Sequence, residues 1–541
     1  MSGNVADRIL QKLFTAKTLV GAGVATPTRP DKVAKAALAL HRFGPTPAAG
    51  YTVSAIRFPD ATAIVDDLGT LTCAEVHRRT NALAHALAGA GIGNGSNVAV
   101  MCRNHRGFVD TTVALSKLGA NALYLNTQFA GPQITEVAER EQPAAIVYDA
   151  EFENLVHDAG KGRRRFIAWH DADEPSEDPR LEDLIRRGDP SDVAPPPEKG
   201  RVVILTSGTT GSPKGAQRRQ PESLDPAAAL FDMIPLRARE NTMLAAPMFH
   251  SWGFAHFTLG MALSSALVMR RKFDPEDTLS ACAQHECTAL VVVPVMLQRI
   301  LELAAGTVDR YDLRALRVIA ASGSALPGEL ALQVMDRFGD VLYNLYGSTE
   351  VAWATIATPT DLREAPGTAG RPARGTVVKL LDEDGREVPP GETGLIFVGN
   401  EMAMDGYTGG GGKQVVAGLM SSGDLGRLDD QGRLFVAGRD DEMIVSGGEN
   451  VFPREVEDLL ARHEAVAEVA VIGVRDEEFG QRLRAFVVCE AGREVTVDEL
   501  KDHVKANLAR YKVPREVIFL DELPRNATGK VLKRELTQRD D

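Results

Sequence analysis

The sequence predicts an α/β fold: a large N-terminal domain of αβ layers with a small β subdomain, then a mobile α+β C-terminal domain. Three observations carry that prediction. Short aliphatic runs alternate with helix-period segments through residues 51–320. After about residue 376, short strands separated by Gly and Asp turns take over. At 541 residues, the chain exceeds what a single hydrophobic core usually supports.

The elements follow in order. Residues 63–65 and 70–72 flank a turn at 66–69 and read as a hairpin. A helix with Val76, Leu83 and Leu87 on its apolar stripe comes next. Gly91, Gly93 and Gly95 punctuate before a strand at 98–102, and a helix at 109–118 leads to a strand at 122–125. Further strands are expected at 145–147, 166–169, 202–205, 243–246, 289–293 and 316–320. The β subdomain should use 377–381, 394–398, 423–428 and 434–436. The last unit should open a helix at Pro453, a favourable first helical position, and hold strands at 469–474, 484–488 and 517–520 with a helix at 497–508. The boundary falls in the charged, glycine-rich stretch 438–441, so the domains are a leader 1–50, a body 51–438 and a C-terminal domain 441–541 with its hinge at 439–441.

Composition excludes several classes. Hydrophobic content of 44% and charged content of 25% are ordinary for a globular enzyme. A net charge of −13 argues against general nucleic-acid binding. Five scattered cysteines without a CxxC spacing argue against a zinc site and for a reducing compartment. No signal-peptide pattern and no membrane-length apolar run is present, so a cytoplasmic location is expected. Residues 1–50 differ from the rest, with seven Lys/Arg against two acids. Val5, Ile9, Leu10, Leu13 and Phe14 share one helical face there. Two readings stay open: a basic amphipathic helix on an anionic membrane surface, or a leader helix docked on its own domain.

The densest chemistry is TSGTTGSPKG at 206–215, directly after a β-branched and aliphatic run. Three glycines let backbone N–H groups turn toward an anion; hydroxyls add donors and Lys214 adds a positive charge. This is a phosphate cradle but not the Walker A pattern, because Pro213 precedes Lys214 and Gly215 follows it.

Further motifs come in order: Pro247 to Gly253, Ser322 to Pro327, Tyr343 to Glu350, Gly391 to Gly394, Ser422 to Asp424, Gly438 to Ile444, Ser446 to Asn450 and Arg525 to Lys530. Together with the cradle they resemble the adenylate-forming superfamily, which includes acyl-CoA synthetases, adenylation domains of peptide synthetases and beetle luciferases. The resemblance spans about residues 59–532 and is greatest toward fatty acyl-CoA ligases.

The resemblance implies ATP, Mg²⁺ and CoA as partners of a small carboxylic acid, and it implies a role for each matched residue. Thr206, Ser207, Gly208, Thr209, Thr210 and Lys214 hold the phosphates of ATP. Ser322, Gly323, Ser324 and Ala325, with Tyr346, Gly347, Ser348 and Thr349, border the nucleoside, and Tyr346 offers a face to adenine. Asp424 and Arg439 bind the ribose. Thr206 and Glu350 bind Mg²⁺, a hard ion that prefers oxygen. Lys530 bridges the carboxylate and the α-phosphate. The chemistry needs such a cation: two unit charges at about 4 Å in an effective dielectric near 20 repel by roughly 4 kcal/mol. In the second half-reaction the family's small domain swings about a hinge that maps to Asp441, and Gly447 and Gly448 line the way for the pantetheine arm of CoA. His250 falls where the family places a gate near the reacting carboxylate; a buried structural histidine is the other reading.

Three departures stand out. Residues 216–221 replace the usual Ser/Thr-His continuation of the cradle, 409–420 lack the Trp that ordinarily precedes the ribose-binding Asp, and Asp440 replaces an apolar residue. Phe254, Ala255, Phe257, Thr258 and Gly260, facing 293–296, are expected to form an apolar tunnel for a medium- or long-chain fatty acid. The alternatives are an acyl-AMP ligase that loads a carrier protein and a ligase for an aromatic or other carboxylate. A homodimer is left open.

Overall fold

The computed structural model describes residues 5–26, 28–171, 177–207, 213–218, 223–439, 442–446, 449–476, 480–527 and 529–538. Two large sheets form the body, and both have parallel centres. One has seven strands in the order Met404–Tyr407, Pro213–Arg218, Val202–Ser207, Asn121–Tyr124, Asn97–Met101, Ala145–Asp149 and Arg164–Trp169. The other has nine: Arg371–Pro372, Ala352–Ala357, Leu342–Ser348, Val318–Ala321, Ala289–Val292, Asn241–Leu244, Ala266–Val268, Thr62–Asp66 and Gly69–Thr72. Antiparallel strands sit at the edges, among them the predicted hairpin, whose Val65 pairs with Thr70. Helices cover the parallel strands, as crossover connections require.

Local chemistry explains the element limits. Thr72 caps the helix Cys73–Gly89 through a reciprocal box with Glu75, and Thr496 does the same with Glu499 for Val497–Asn507. Gly119 ends Arg106–Leu118 in the left-handed conformation. A five-stranded antiparallel unit, Val377–Leu381, Gly394–Gly399, Leu419–Leu428, Val415–Val416 and Leu434–Arg439, forms the expected β subdomain. The C-terminal unit pairs Val466–Asp476 with Gly480–Cys489 and packs the helices Pro453–Leu460 and Val497–Asn507 around a core of its own.

Two polar connections tie the body together. Asn104 donates from Nδ2 to the carbonyls of Leu244 (3.0 Å) and Ala246 (2.9 Å), and its Oδ1 accepts the Met248 N–H at 2.8 Å. The backbone after the strand Asn97–Met101 thereby holds the loop that leads to His250. Arg106 forks onto Asp66, its Nη2 reaching Oδ1 at 2.5 Å, with the Asp66 side chain 1% exposed. Between the sheets, Phe108 stacks on Tyr124 at 5.0 Å and meets Phe257 edge-on at 6.2 Å.

Three expectations change. The two ends of the cradle lie in paired strands, Val202–Ser207 antiparallel with Pro213–Arg218, which in turn pairs with Met404–Tyr407. The helix Ser251–Leu263 does not lay its apolar residues along a tunnel. Phe257 is fully buried, Gly260 packs against Leu267, and Phe254 leans on Tyr124 at 5.2 Å. This helix is apolar all round, so its periodicity could not reveal which side faces a cleft. Finally, the leader face is not buried as a unit. Phe14 lies under Arg374, while Ile9, Leu10 and Leu13 face solvent.

Replacing Asp66 by Ala leaves Arg106 buried without its carboxylate. Chemical denaturation is expected to show a loss of about 3–5 kcal/mol, and a loss below about 1 kcal/mol would show that the pair contributes little.

Candidate active site

A cleft of about 770 Å³ opens between the body, the β subdomain and the C-terminal unit. The strand Leu342–Ser348 delivers Tyr346 to it, and its pairing with Ala352–Ala357 shifts register at Gly347, where a Cβ would lie 1.9 Å from the Ala352 carbonyl oxygen. Only glycine permits that approach, so the register of Tyr346 and Glu350 depends on it. Ser322, Gly323, Ser324 and Ala325 follow the strand Val318–Ala321 and line the cleft beside Tyr346.

Tyr346 donates its hydroxyl to Asp424 Oδ2 at 2.5 Å and reaches Ser422 Oγ at 3.2 Å. Arg439 Nε stands 3.7 Å from Asp424 Oδ1. Burial pushes the Asp424 carboxyl up from its ordinary value; the Tyr346 hydroxyl, Arg439, Lys530 and Lys413 pull against that rise in decreasing order. Burial also holds the Tyr346 phenol well above its ordinary value, with the Asp424 charge adding to it.

Glu350 presents its carboxylate across the cleft and accepts from Tyr407 Oη at 2.9 Å. Its backbone carbonyl accepts from the Met404 N–H at 2.8 Å. Ser348 Oγ accepts the N–H groups of Glu350 and Val351, each at 3.2 Å. Thr349 Oγ1 and Ser251 Oγ lie 3.1 Å apart. Lys214 sits on the strand Pro213–Arg218, its ammonium 5.5 Å from the centre of the Tyr407 ring. A carboxylate with one oxygen engaged by a phenol keeps acceptor capacity for a hard cation, so Glu350 fits Mg²⁺.

His250 precedes the helix Ser251–Leu263, with Asn126 Nδ2 3.5 Å from its Nε2. Burial pulls its imidazole down to about 4, so it is neutral near pH 7.

Lys530 arrives from the far end of the chain. Its N–H donates to Asn526 Oδ1 at 2.9 Å, and Arg525 Nη1 donates to the Gly529 carbonyl at 2.6 Å. This turn seats on the body. Ala527 packs against the main core, and a Cβ at Gly529 would lie 2.2 Å from Val295 Cγ1. The Lys530 side chain is exposed within the cleft, close enough for its charge to act on Asp424.

The structure therefore brings together Lys530, Glu350, His250, Lys214, Ser322 to Ala325, Tyr346 to Thr349, Asp424 and Arg439. Gly208, Thr209 and Thr210 of the cradle, the hinge residue Asp441, and Gly447 and Gly448 lie outside the described residues. So do the side chains of Thr206 and Ser207, whose backbone ends the strand Val202–Ser207.

Sequence reasoning missed Tyr407 and Lys413. Tyr407 ends a four-residue strand broken by Gly406, too short for alternation to register, and Lys413 follows a run of four glycines with no periodicity. A separate buried set of metal-type donors, Cys102, His105 and Asp149, is internally satisfied. His105 Nε2 lies 2.7 Å from Asp149 Oδ1, and Nδ1 accepts from the Gly107 N–H.

Comparison with known proteins agrees with this arrangement. Residues 52–408 match the model of the AMP-binding enzyme family, and residues 455–530 match the AMP-binding enzyme C-terminal domain. The chain is 33% identical over 494 residues to an indoleacetate–CoA ligase of Aromatoleum aromaticum, covering 90% of this chain and 94% of that protein. It is 33% identical over 486 residues to a feruloyl-CoA synthase of Amycolatopsis sp, covering 89% and 96%. Among solved structures, the o-succinylbenzoate CoA synthetase of Bacillus subtilis in complex with the acyl-adenylate OSB-AMP superposes with a TM-score of 0.78. It is 26% identical, with 91% of this chain and 98% of that one covered.

Two predictions follow from the geometry. Gly529 has φ +75° and no room for a Cβ, so Gly529→Ala should lift the turn that carries Lys530. A displacement near 1 Å costs on the order of a hundredfold; pyrophosphate release should fall by that factor, while thioester formation from supplied acyl-AMP should fall far less. The second concerns pH. Accepting two ribose hydroxyls, the role the resemblance gives Asp424, requires the ionised carboxylate, and its titration point is raised. Nucleotide affinity should therefore weaken on acidification before an ordinary Asp would titrate, seen as a rising KM for ATP that is flattened in Asp424→Asn. With a conserved fold and a neutral His250 down to about 4, His250→Phe should leave that acid limb in place. These motifs, assembled around one cleft and matched along both family models, show that the chain belongs to the AMP-binding enzymes, the adenylate-forming superfamily.

Proposed function

We propose that this enzyme activates a compact aromatic carboxylic acid and transfers it to CoA. At the coarser level it is an ATP-dependent acid–CoA ligase working through an acyl-adenylate. One carboxylate oxygen of the acid bonds to the α-phosphorus of ATP, and the bond to pyrophosphate breaks. The CoA sulfur then bonds to the acyl carbon, AMP leaves, and the thiol proton is released.

The observation that carries the aromatic reading is what the cleft lacks. The helix Ser251–Leu263 lends it only its first residues and Ala255; Phe254, Phe257, Thr258 and Gly260 do not line it. Phe257 and Phe254 instead complete an aromatic core with Phe108 and Tyr124. Leu230, Ala255, Val293 and Gln298 are among the residues that line the cleft with His250. Such a pocket suits a flat ring better than an extended chain. The relatives named for indoleacetate and feruloyl acids support the same reading. The fatty-acid expectation gives way to the aromatic alternative.

Each residue takes a part in this proposal. Lys530 offsets the repulsion between the carboxylate and the α-phosphate; its ammonium acts where charge develops in the transition state. Lys214 and the cradle hold the outer phosphates, Asp424 and Arg439 the ribose, and Tyr346 the adenine. Glu350, steadied by Tyr407, would hold Mg²⁺ with the phosphate oxygens, and the metal ion would neutralise their charge. His250, uncharged, borders the cleft without adding a competing cation.

A panel of indole-3-acetate, ferulate, 2-succinylbenzoate, decanoate and palmitate, read by pyrophosphate release, tests the proposal. At least one aromatic acid should exceed palmitate in kcat/KM by tenfold or more, about 1.4 kcal/mol; palmitate as the best substrate would sink the aromatic reading. In the same assay Lys530→Ala should lose on the order of a hundredfold or more yet still form thioester from supplied acyl-AMP. Free CoA should outperform a phosphopantetheinylated carrier as acceptor.

A further inference from the structure

The first two helices lie ahead of the matched family model, which begins at residue 52. They are also where the apolar surface gathers. Of the eleven large hydrophobic side chains exposed among the described residues, seven fall between Ile9 and Leu40. Scattered single exposures need no explanation, but a concentration of this kind marks an interaction surface.

The helix Val5–Gly21 is held to the body along one side. Thr15 Oγ1 donates to Asp225 at 2.5 Å, Arg374 Nε donates to Gln11 at 3.1 Å, and the Arg374 guanidinium covers Phe14 at 4.3 Å. Ile9, Leu13 and Val20 point away from that side and are 54%, 61% and 62% exposed. At 3.6 residues per turn they fall within an arc of roughly 40°. Leu10 and Lys17 lie on one margin of the arc and Lys12 on the other, all exposed. The next helix, Pro30–Phe43, buries Ala36, Ala39 and Phe43 and leaves Val33, Leu38 and Leu40 outside with Lys35 and Arg42. Both helices thus present large aliphatic residues outward, where a surface helix ordinarily presents polar ones.

Charge selects the occupant. Residues 1–50 carry seven basic and two acidic side chains on a chain whose net charge is −13. Among the described residues, Lys12, Lys17, Lys35 and Arg42 form no ion pair; Arg29 is the exception, paired with Asp31. Lysine is depleted from the cores of protein interfaces, and two copies meeting through this face would bring like charges together. Lysines bordering an aliphatic stripe suit a lipid headgroup layer, where the methylene stems lie along the apolar boundary and the ammonium groups reach phosphate. No helix among the described residues is long and apolar enough to cross a membrane, so contact would lie in the plane of the interface.

We propose that residues 5–43 form a docking surface for a membrane bearing anionic phospholipid headgroups. The test is co-sedimentation of the full-length protein with vesicles of phosphatidylcholine alone or mixed with phosphatidylglycerol, with pyrophosphate release measured in parallel. The protein should pellet with the mixed vesicles and not with the neutral ones, and should be released when salt shortens the Debye length to about 3 Å. The triple variant Leu10→Glu, Leu13→Glu, Val20→Glu should bind at least tenfold more weakly with pyrophosphate release unchanged. The double variant Lys12→Gln, Lys17→Gln should lose the preference for anionic vesicles, and it decides the matter should the triple variant fail to fold. Failure to pellet with either vesicle, or equal binding to both, would overturn the proposal. So would a wild-type dimer, seen by light scattering, that the triple variant converts to monomer, since that outcome assigns the face to a second copy.

Discussion

The seating of the Gly529–Lys530 turn on Val295 is the contact on which the site depends. Without it the cleft has a nucleotide-sized floor but no cation from the C-terminal unit. The contact is small, apolar and shape-limited: a glycine against a β-branched side chain, with Ala527 beside it on the main core. Such a contact stabilises one arrangement of the lobes only slightly. That suits the proposed role of Lys530 in the first reaction step. The polar connections of the turn are internal to its own unit, Arg525 to Glu468 and Lys533 to Glu457 and Glu442.

Charge in the cleft is arranged by opposition. Asp424 is buried, which favours its neutral form, and a phenol, a guanidinium and two ammonium groups act against that preference. Glu350 is treated more lightly, with one phenol at 2.9 Å. The difference matches the tasks proposed for them. A ribose acceptor must be fixed in place, whereas a metal-holding carboxylate must keep an oxygen open.

Much of the architecture was legible in the sequence because buried parallel strands are short aliphatic runs with helices between them. The segments around 98, 122, 145 and 289 fall within a residue or two of the strands observed. The ordered motifs also led to most of the residues that line the cleft. What could not be read has physical reasons. The helix Ser251–Leu263 is apolar on every side, so nothing in its pattern separates Ala255, which meets the cleft, from Phe257, which meets the core. The strand Pro213–Arg218 carries a Lys, a Gln and an Arg at a sheet position that ordinarily favours β-branched residues, between Val202–Ser207 and Met404–Tyr407. In the leader, the residues read as one apolar face part company, Phe14 under Arg374 and Ile9, Leu10 and Leu13 toward solvent, because the pattern cannot say which way a helix turns.

Asn104 has a consequence for how this scaffold can change. Its amide grips the segment before His250 at three points, and the residue itself lies just after a strand of the neighbouring sheet. The loop before His250 is thus held from one layer, while Ala255 and Gln298, which also line the cleft, stand on helices of the other. Such lining residues can be exchanged one at a time while the held loop keeps its place, so substrate range can drift in evolution without any redesign of the nucleotide chemistry next door.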